Sequence, residues 1–467
     1  MSGQRRTAAT TGRPGVSVVF PSGMLGSGFE AEPVRRAIEA GVDAVAIDAG
    51  STDSGPYYLG AAASKTTVEA LRRDLRILLT ASCAAGVPLL VGSCGTSGTD
   101  AGVDMTARIV EELAVEEGLS FRLARIYSEQ SADDVGHALA AGRVRPLPPA
   151  RELDERTVRA CAHIVGVMGH EPFVAALQQR ADVILAGRAS DTSLVASLAL
   201  MRGLPGGPAW HAAKTVECGD MCTTRPRNGG VRVDVDPDGF TVAPLGPETA
   251  CTPMSVAAHL LYENANPFRL REPSGVLDAS RATYRALDSR TVRVEGSRFD
   301  TADRLTIKLE GSGIAGYEAM SFAGIVDPRV LAQLDAWTAA LKERVGGRVH
   351  ELLGLEPRHY DFALRCYGRD AILGPLASNG TPPLEVGVMV RVRAPDQETA
   401  NAIVRTANPL LLHLPTPDME HLPSYAFATS PAEIERGPSY EFLLNHVVEV
   451  QDATELFRTR ITEVGRA

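Results

Sequence analysis

The feature that most constrains this chain is a rhythm in its first half. Seven times within residues 16–222 a short apolar run ends at a polar break, bearing glycine in all but one, and helices fill several of the intervals. The runs and breaks are "VSVVFPSGMLGSG" (16–28), "DAVAIDAGSTDSG" (43–55), "PLLVGSCGTSG" (88–98), "FRLARIYSEQS" (121–131), "HIVGVMGHEP" (163–172), "DVILAGRASDTS" (182–193) and "KTVECGDMC" (214–222). Runs that are apolar throughout suit strands buried on both faces, as in a parallel sheet covered by helices. Among the helices, Thr66-x-x-Glu69 reads as a capping box opening "EALRRDLRILLTASCAAG", with Gly86 as the stop. Two more are "GVDMTARIVEELAVEEG" (102–118) and "EPFVAALQQRA", with Pro172 in its first turn. The sequence predicts an α/β protein whose N-terminal half is an open, mostly parallel three-layer sandwich. A closed eight-fold barrel is disfavoured because the strands are unevenly spaced, from about 20 to about 45 residues apart.

From about residue 224 the grammar changes. "GGVRVDVDPDGFTVAPLG" (229–246) reads as a hairpin turning at Pro-Asp-Gly. "TPMSVAAHLLYENANPF" reads as a helix stopping before Pro267, and "RTVRVEG" and "RLTIKLEG" as short strands. Further on come a helix over 328–347, the strand "PLEVGVMVRVRAP" and the helix "DQETANAIVRTANPLLLHL". Four segments are expected: a disordered start at 1–15, an α/β core at 16–275, a smaller α+β domain at 276–413, and a tail at 414–467. In the tail a proline-rich arm precedes a strand and helix over 440–459.

A net charge of −10, without basic runs, argues against a nucleic-acid partner. Seven scattered cysteines fit reduced thiols in the cytoplasm better than a disulfide scaffold. The polar first 15 residues lack a signal-peptide core, and no apolar stretch reaches the roughly 18 residues of a membrane span. A cytoplasmic homo-oligomer without nucleic-acid or membrane partners is expected.

Several motifs fail on inspection. "GAAASKTT" has Ser64 where a phosphate loop needs glycine before the lysine, and "GSCGTSG" lacks dinucleotide-fold spacing. Cys218 and Cys222, with His211 and Asp220, lack the C-x2-C knuckle usual in structural zinc sites, so no metal ligand is assigned. The polar breaks remain, and they fall at strand carboxyl ends, where open α/β sheets bind ligands. Asp48 and Asp53 are candidates for acid–base work. Gly50, Ser51 and Thr52 are candidates for anion binding, together with Ser93 and Gly95 of the next break. Arg188 offers a fork for a carboxylate, beside Asp191 as a second proton carrier. Glu217 and Cys218 would assist from the last strand end, the thiol activated by a helix N-terminus. Plainer readings stand beside these. The 48–55 loop is also an Asx turn with a cap, Asp191 also a helix cap paired with Arg188, and Cys218 also a small buried apolar group.

These stretches resemble the acyclic terpene utilisation AtuA family. The similarity is carried by "SGFEAEPVRRAIEAGVDAVAIDAGSTD", "GHEPFVAALQQRADVILAGRASDTSL", "KTVECGDMCTT", "GFTVAPLGPETACTPMSVAAHLLYENANPF" and "VLDASRATYRALDSRTVRVEG", and "LRCYGRDAILG" extends it. The blocks fall in order over most of 16–310. The family's middle block usually looks more like "ECGAQVTGG", and "ECGDMCTTRPRNGG" departs from it. The C-terminal "GPSYEFLLNHVVEVQDATELFR" is similar to the small partner protein often paired with the family, which implies a fused partner. By association with branched terpene acids, the resemblance implies carboxylic-acid or acyl-CoA metabolism. The expected function is a lyase or hydro-lyase acting on a small carboxylate or acyl thioester. No cofactor is expected, and CoA enters only as part of a substrate. The alternatives are a non-catalytic ligand-binding or scaffold subunit and, third, a metal-dependent hydrolase using the acids as oxygen ligands.

Overall fold

A computed structural model describes residues 15–226, 229–262, 264–377, 383–417, 419 and 425–465. The expected disorder of residues 1–15 therefore falls, except for Gly15, outside the described residues. The chain forms two compact units, one of Met1–Gly313 with Phe442–Ala467 and one of Ile314–Glu441. The sequence-expected boundary at 275/276 lies within a strand of the first unit.

In the first unit β1 (Val16–Phe20), β2 (Ala44–Asp48), β3 (Leu89–Gly92), β7 (Val183–Ala186) and β4 (Phe121–Tyr127) lie side by side in that order, every pair parallel. Beyond β1 the sheet continues antiparallel through β8 (Val231–Val235), β9 (Gly239–Pro244), β13 (Val292–Glu295) and β12 (Thr283–Ala286). At the other edge β20 (Arg458–Val464) runs antiparallel to β4. Side chains alternate across the pleat. Val18, Ala46, Leu90, Ile184 and Ala124 enter one core with helices Glu171–Gln178, Asp191–Met201 and Gly206–Val216. Val19, Ile47, Val91, Leu185 and Leu123 enter the other with helices Ala31–Glu39, Val68–Ala85 and Asp100–Glu116. Three layers result, as the doubly apolar strands require, and the 229–246 hairpin is β8 and β9.

A three-stranded sheet and part of a seven-stranded one complete this unit. β10 (Arg269–Glu272), β11 (Gly275–Asp278) and β14 (Arg298–Thr301) form an antiparallel trio. β6 (Cys161–Val167) pairs with Lys308–Gly313 of the long β15 (Thr306–Ile325), and β5 (Val144–Pro146) with His446–Val448 of β19 (Ile434–Glu449). In the second unit Tyr317–Ile325 of β15 pairs antiparallel with β17 (Val386–Ala394) and β18 (Tyr425–Phe427), and β16 (Asp361–Tyr367) flanks β17. Helices Leu334–Leu353 and Gln397–His413 share a core with this sheet through Trp337, Leu341, Val404 and Leu411. Among the described residues no helix is long and apolar enough to cross a membrane.

Four sequence readings are corrected. The "HIVGVMGHEP" strand lies outside the parallel sheet, because β6 pairs antiparallel with β15. Thr67 caps helix Val68–Ala85, accepting from the Ala70 N–H, while Thr66 bonds to Ser64. Gly86 ends that helix at φ +68°, as expected. Residues 440–459 contain no helix, because the tail runs as β19 and then β20. Finally, "KTVECG" closes a helix, Gly206–Val216, instead of a strand. The preceding "PAWHAA" is apolar but for His211, and all six residues are buried, as suits a helix enclosed on every side. Trp210 is fully buried and stacks on Phe299, ring centroids 5.7 Å apart. The helix begins against β14: a side chain on Gly207 would meet the Ser297 carbonyl at 2.3 Å.

Candidate functional site

The site forms where β2, β3 and β7 end. Their loops touch backbone to backbone, and that closeness explains the glycines. A Cβ on Gly98 would stand 2.0 Å from the Arg188 nitrogen, and one on Gly50 2.7 Å from the Thr96 Cα. Ser93 N–H donates to the Gly187 carbonyl at 3.0 Å, and Ser93 adopts φ +47°, unusual for a residue bearing a Cβ.

Arg188 is the hub. It is 7% exposed, its Nε donates to Glu310 Oε2 at 2.9 Å, and its Nη1 donates to the Ala189 carbonyl at 3.1 Å and Ser93 Oγ at 3.3 Å. Nη1 also lies 3.8 Å from Asp191 Oδ1. Nη2 makes no hydrogen bond among the described residues. Glu310 takes further donations from Thr52 Oγ1 at 3.0 Å and Lys308 Nζ at 2.6 Å. Burial alone would raise the Glu310 pKa. Arg188 and then Lys308 outweigh it and hold the carboxyl at about 2.

Asp48 closes β2. It is 3% exposed, and its Oδ2 accepts the Gly50 N–H at 2.7 Å. Its Oδ1 is buried without a hydrogen-bond partner among the described residues. Burial first, and then the neighbouring Asp191 charge, raise its pKa well above the ordinary range; Arg188, the Gly50 N–H and Ser93 oppose them. Gly92 makes room for this carboxyl, since a Cβ there would lie 2.9 Å from Oδ1.

Asp191 begins helix Asp191–Met201 and joins this nest to a second one. Its side chain is 32% exposed, and burial raises its pKa against the pull of Arg188 and Lys214. In the second nest Lys214 Nζ donates to Glu217, and Thr192 Oγ1 donates to Glu272 Oε2 at 2.7 Å. Burial lifts Glu217 to about 8 and Glu272 to about 7. It also lowers His259, with the Lys214 charge adding to it, to about 4. Five carboxyls (Asp48, Asp191, Glu217, Glu272, Glu310) thus surround three cations (Arg188, Lys214, Lys308), so the cluster retains protons near neutrality. Groups titrating near 7 are suited to general acid–base work.

The structure therefore brings together Asp48, Thr52, Ser93, Arg188, Asp191 and Glu217. Gly50 supports Asp48, and Gly95 packs against Gly102 at the start of helix Asp100–Glu116. Ser51 and exposed Asp53 behave as a local turn: Ser51 Oγ accepts the Asp53 N–H and donates to Asp53 Oδ2 at 3.0 Å. The Asp53 charge nonetheless contributes to raising Asp191. Glu217 and Cys218 follow a helix C-terminus, not a strand end, and only a single 3-10 turn, Gly219–Cys222, lies ahead of the thiol. His211 is a core residue bonded to Ser297 and Tyr284, far down in pKa at about 3 through burial. Sequence reasoning missed Lys214, Glu272, Lys308 and Glu310. The last two had a legible signal: they alternate with Leu309 on one strand, which places both charges on one face. Among the described residues no group of three or more His, Cys, Asp or Glu is arranged to hold a metal ion, and none of the cysteines is in a disulfide.

A family model described as "Acyclic terpene utilisation family protein AtuA" matches residues 26–223 and 229–431. The chain belongs to this AtuA family. Every residue of the two nests, from Asp48 to Glu310, lies inside the matched segments, whereas β20 lies outside them. No curated protein and no solved structure matches the chain.

Proposed function

We propose that this AtuA-family chain is an enzyme that moves protons on a small carboxylic acid or its acyl thioester, as a lyase or hydro-lyase. The observation that carries this reading is that, among the described residues, Asp48 Oδ1 and Arg188 Nη2 at one strand-end rim are both without a hydrogen-bond partner. Nη2 would hold a carboxylate or thioester oxygen and stabilise the enolate-like charge that develops when the adjacent carbon loses a proton. Asp191, the more exposed carboxyl, would take that proton. Asp48, whose carboxyl burial biases towards the protonated form, would give its proton to the departing hydroxyl, so that water leaves as the double bond forms. Lys214, Glu217 and Glu272 would carry the proton from Asp191 to solvent, and a solvent proton would return to Asp48 once the product leaves. Membership in a family of acyclic terpene utilisation favours branched acids as substrates.

The test is turnover of a panel of unsaturated and 3-hydroxy branched acids, free and as CoA thioesters. Wild-type protein should interconvert at least one pair. Asp48→Asn, Asp191→Asn and Arg188→Met should each reduce the rate by about 100-fold or more while the circular-dichroism spectrum is retained. Unchanged rates in all three variants would refute the assignment. Stabilisation of the protein by an acid without product formation would favour a binding subunit instead.

A further inference from the structure

We infer that Glu310 is the positioning residue of this site. It turns the Arg188 guanidinium so that Nε and Nη1 are engaged by protein and Nη2, which lies between them, is kept for a substrate carboxylate oxygen. The inference rests on the acid–base reading above. Glu310 comes from β15, more than 100 residues after Arg188 in sequence, and is 4% exposed. Lys308, Glu310 and Ser312 share one face of that strand, while Leu309 turns into the core at 1% exposed. That face joins two of the rim loops. Glu310 Oε2 accepts from both Arg188 Nε on the β7 loop and Thr52 Oγ1 on the β2 loop, and Ser312 Oγ donates to the Pro56 carbonyl at 2.9 Å.

The clamp has a chemical reason. Asp191 Oδ1 lies only 3.8 Å from Arg188 Nη1, without a hydrogen bond. A guanidinium not held at Nε would swing to close that gap with a bidentate pair, the geometry an Arg and a carboxylate prefer. Such a pair would occupy both the base and the anion-binding edge. Glu310 supplies the competing carboxylate and leaves Asp191 available.

The experiment uses full-length protein labelled with 15N-arginine, with the Arg188 Nε–H signal identified by its loss in Arg188→Lys. Glu310→Gln keeps the shape and an acceptor but removes the charge. It should speed exchange of the Nε–H with water by about tenfold. An unchanged exchange rate would overturn the inference. If Glu310→Ala folds, its exchange should be faster still, and a rate equal to wild type would likewise overturn it. The second readout is the pH profile of turnover. Without the Glu310 charge, Arg188 acts unopposed on Asp191, so the acid limb should move about one pH unit lower. A purely structural role would scale the rate equally at every pH and leave the limb in place. A wild-type protein inactive on every acid would defeat the acid–base reading, whereas the exchange measurement would still decide whether Glu310 holds Arg188.

Discussion

Replacing Glu272 by glutamine should make the protein more stable in alkali and leave it unchanged in acid. Burial holds the Glu272 carboxyl at about 7 instead of its ordinary 4.5. The folded chain therefore keeps a proton that the unfolded chain releases across that interval. Below the lower value both states are protonated and the site adds no pH dependence. Between the two values unfolding releases a proton, so each rise in pH favours the unfolded state. Above about 7 both states are ionised and the full cost of the buried anion remains. At about 1.4 kcal/mol per tenfold change, that cost is about 3 kcal/mol. Glutamine cannot ionise, retains an oxygen to accept from Thr192 Oγ1, and avoids the cost. In a unit of this size about 3 kcal/mol corresponds to roughly 5 °C in Tm. Scanning calorimetry at about pH 5 and about pH 8.5 should therefore show a difference between variant and wild type that opens by that amount on going to alkali. Parallel curves would refute the claim that Glu272 is buried in its neutral form.

Four further substitutions probe the scaffold that sets the site. Gly98→Ala places a methyl 2.0 Å from the Arg188 nitrogen at φ +70°, and should cost about 3 kcal/mol or more in chemical denaturation. Thr67→Ala should cost about 1 kcal/mol, because Thr67 supplies the cap of helix Val68–Ala85; Thr66→Ala should not lose that cap energy. Trp210→Ala removes a fully buried ring stacked on Phe299, and should cost about 3–5 kcal/mol with loss of near-ultraviolet dichroism.

The parallel core was legible because local chemistry dictated it. Doubly buried strands need apolar runs, and loops that approach one another closely need glycine, so Asp48, Ser93, Arg188 and Asp191 could be placed on one rim from sequence. The β8–β9 hairpin was legible, but its antiparallel attachment to β1, the β20 edge and the pairing of β6 were not, because these pairings are decided by distant partners such as β15. The "KTVEC" segment misled for a related reason. A helix enclosed on all sides loses its amphipathic signature, so short apolar stretches cannot be told from buried strands by period alone. Glu310 was out of reach as an Arg188 partner because only tertiary folding joins positions 188 and 310. The Thr66 capping box failed by one residue, within the uncertainty of any helix boundary.

β20 closes the free edge of β4, yet it is encoded after the whole of the second unit. On the ribosome the first unit's sheet therefore emerges with one flank bare for the time needed to synthesise more than 100 further residues. An uncovered strand edge recruits other strands, and nascent chains with such edges are the species chaperones bind. The inserted unit, by contrast, is contiguous and is finished before its host is. Loss of the final ten residues would thus be felt at β4, across the sheet from Asp48, as an aggregation liability during biosynthesis more than as a defect of the mature site.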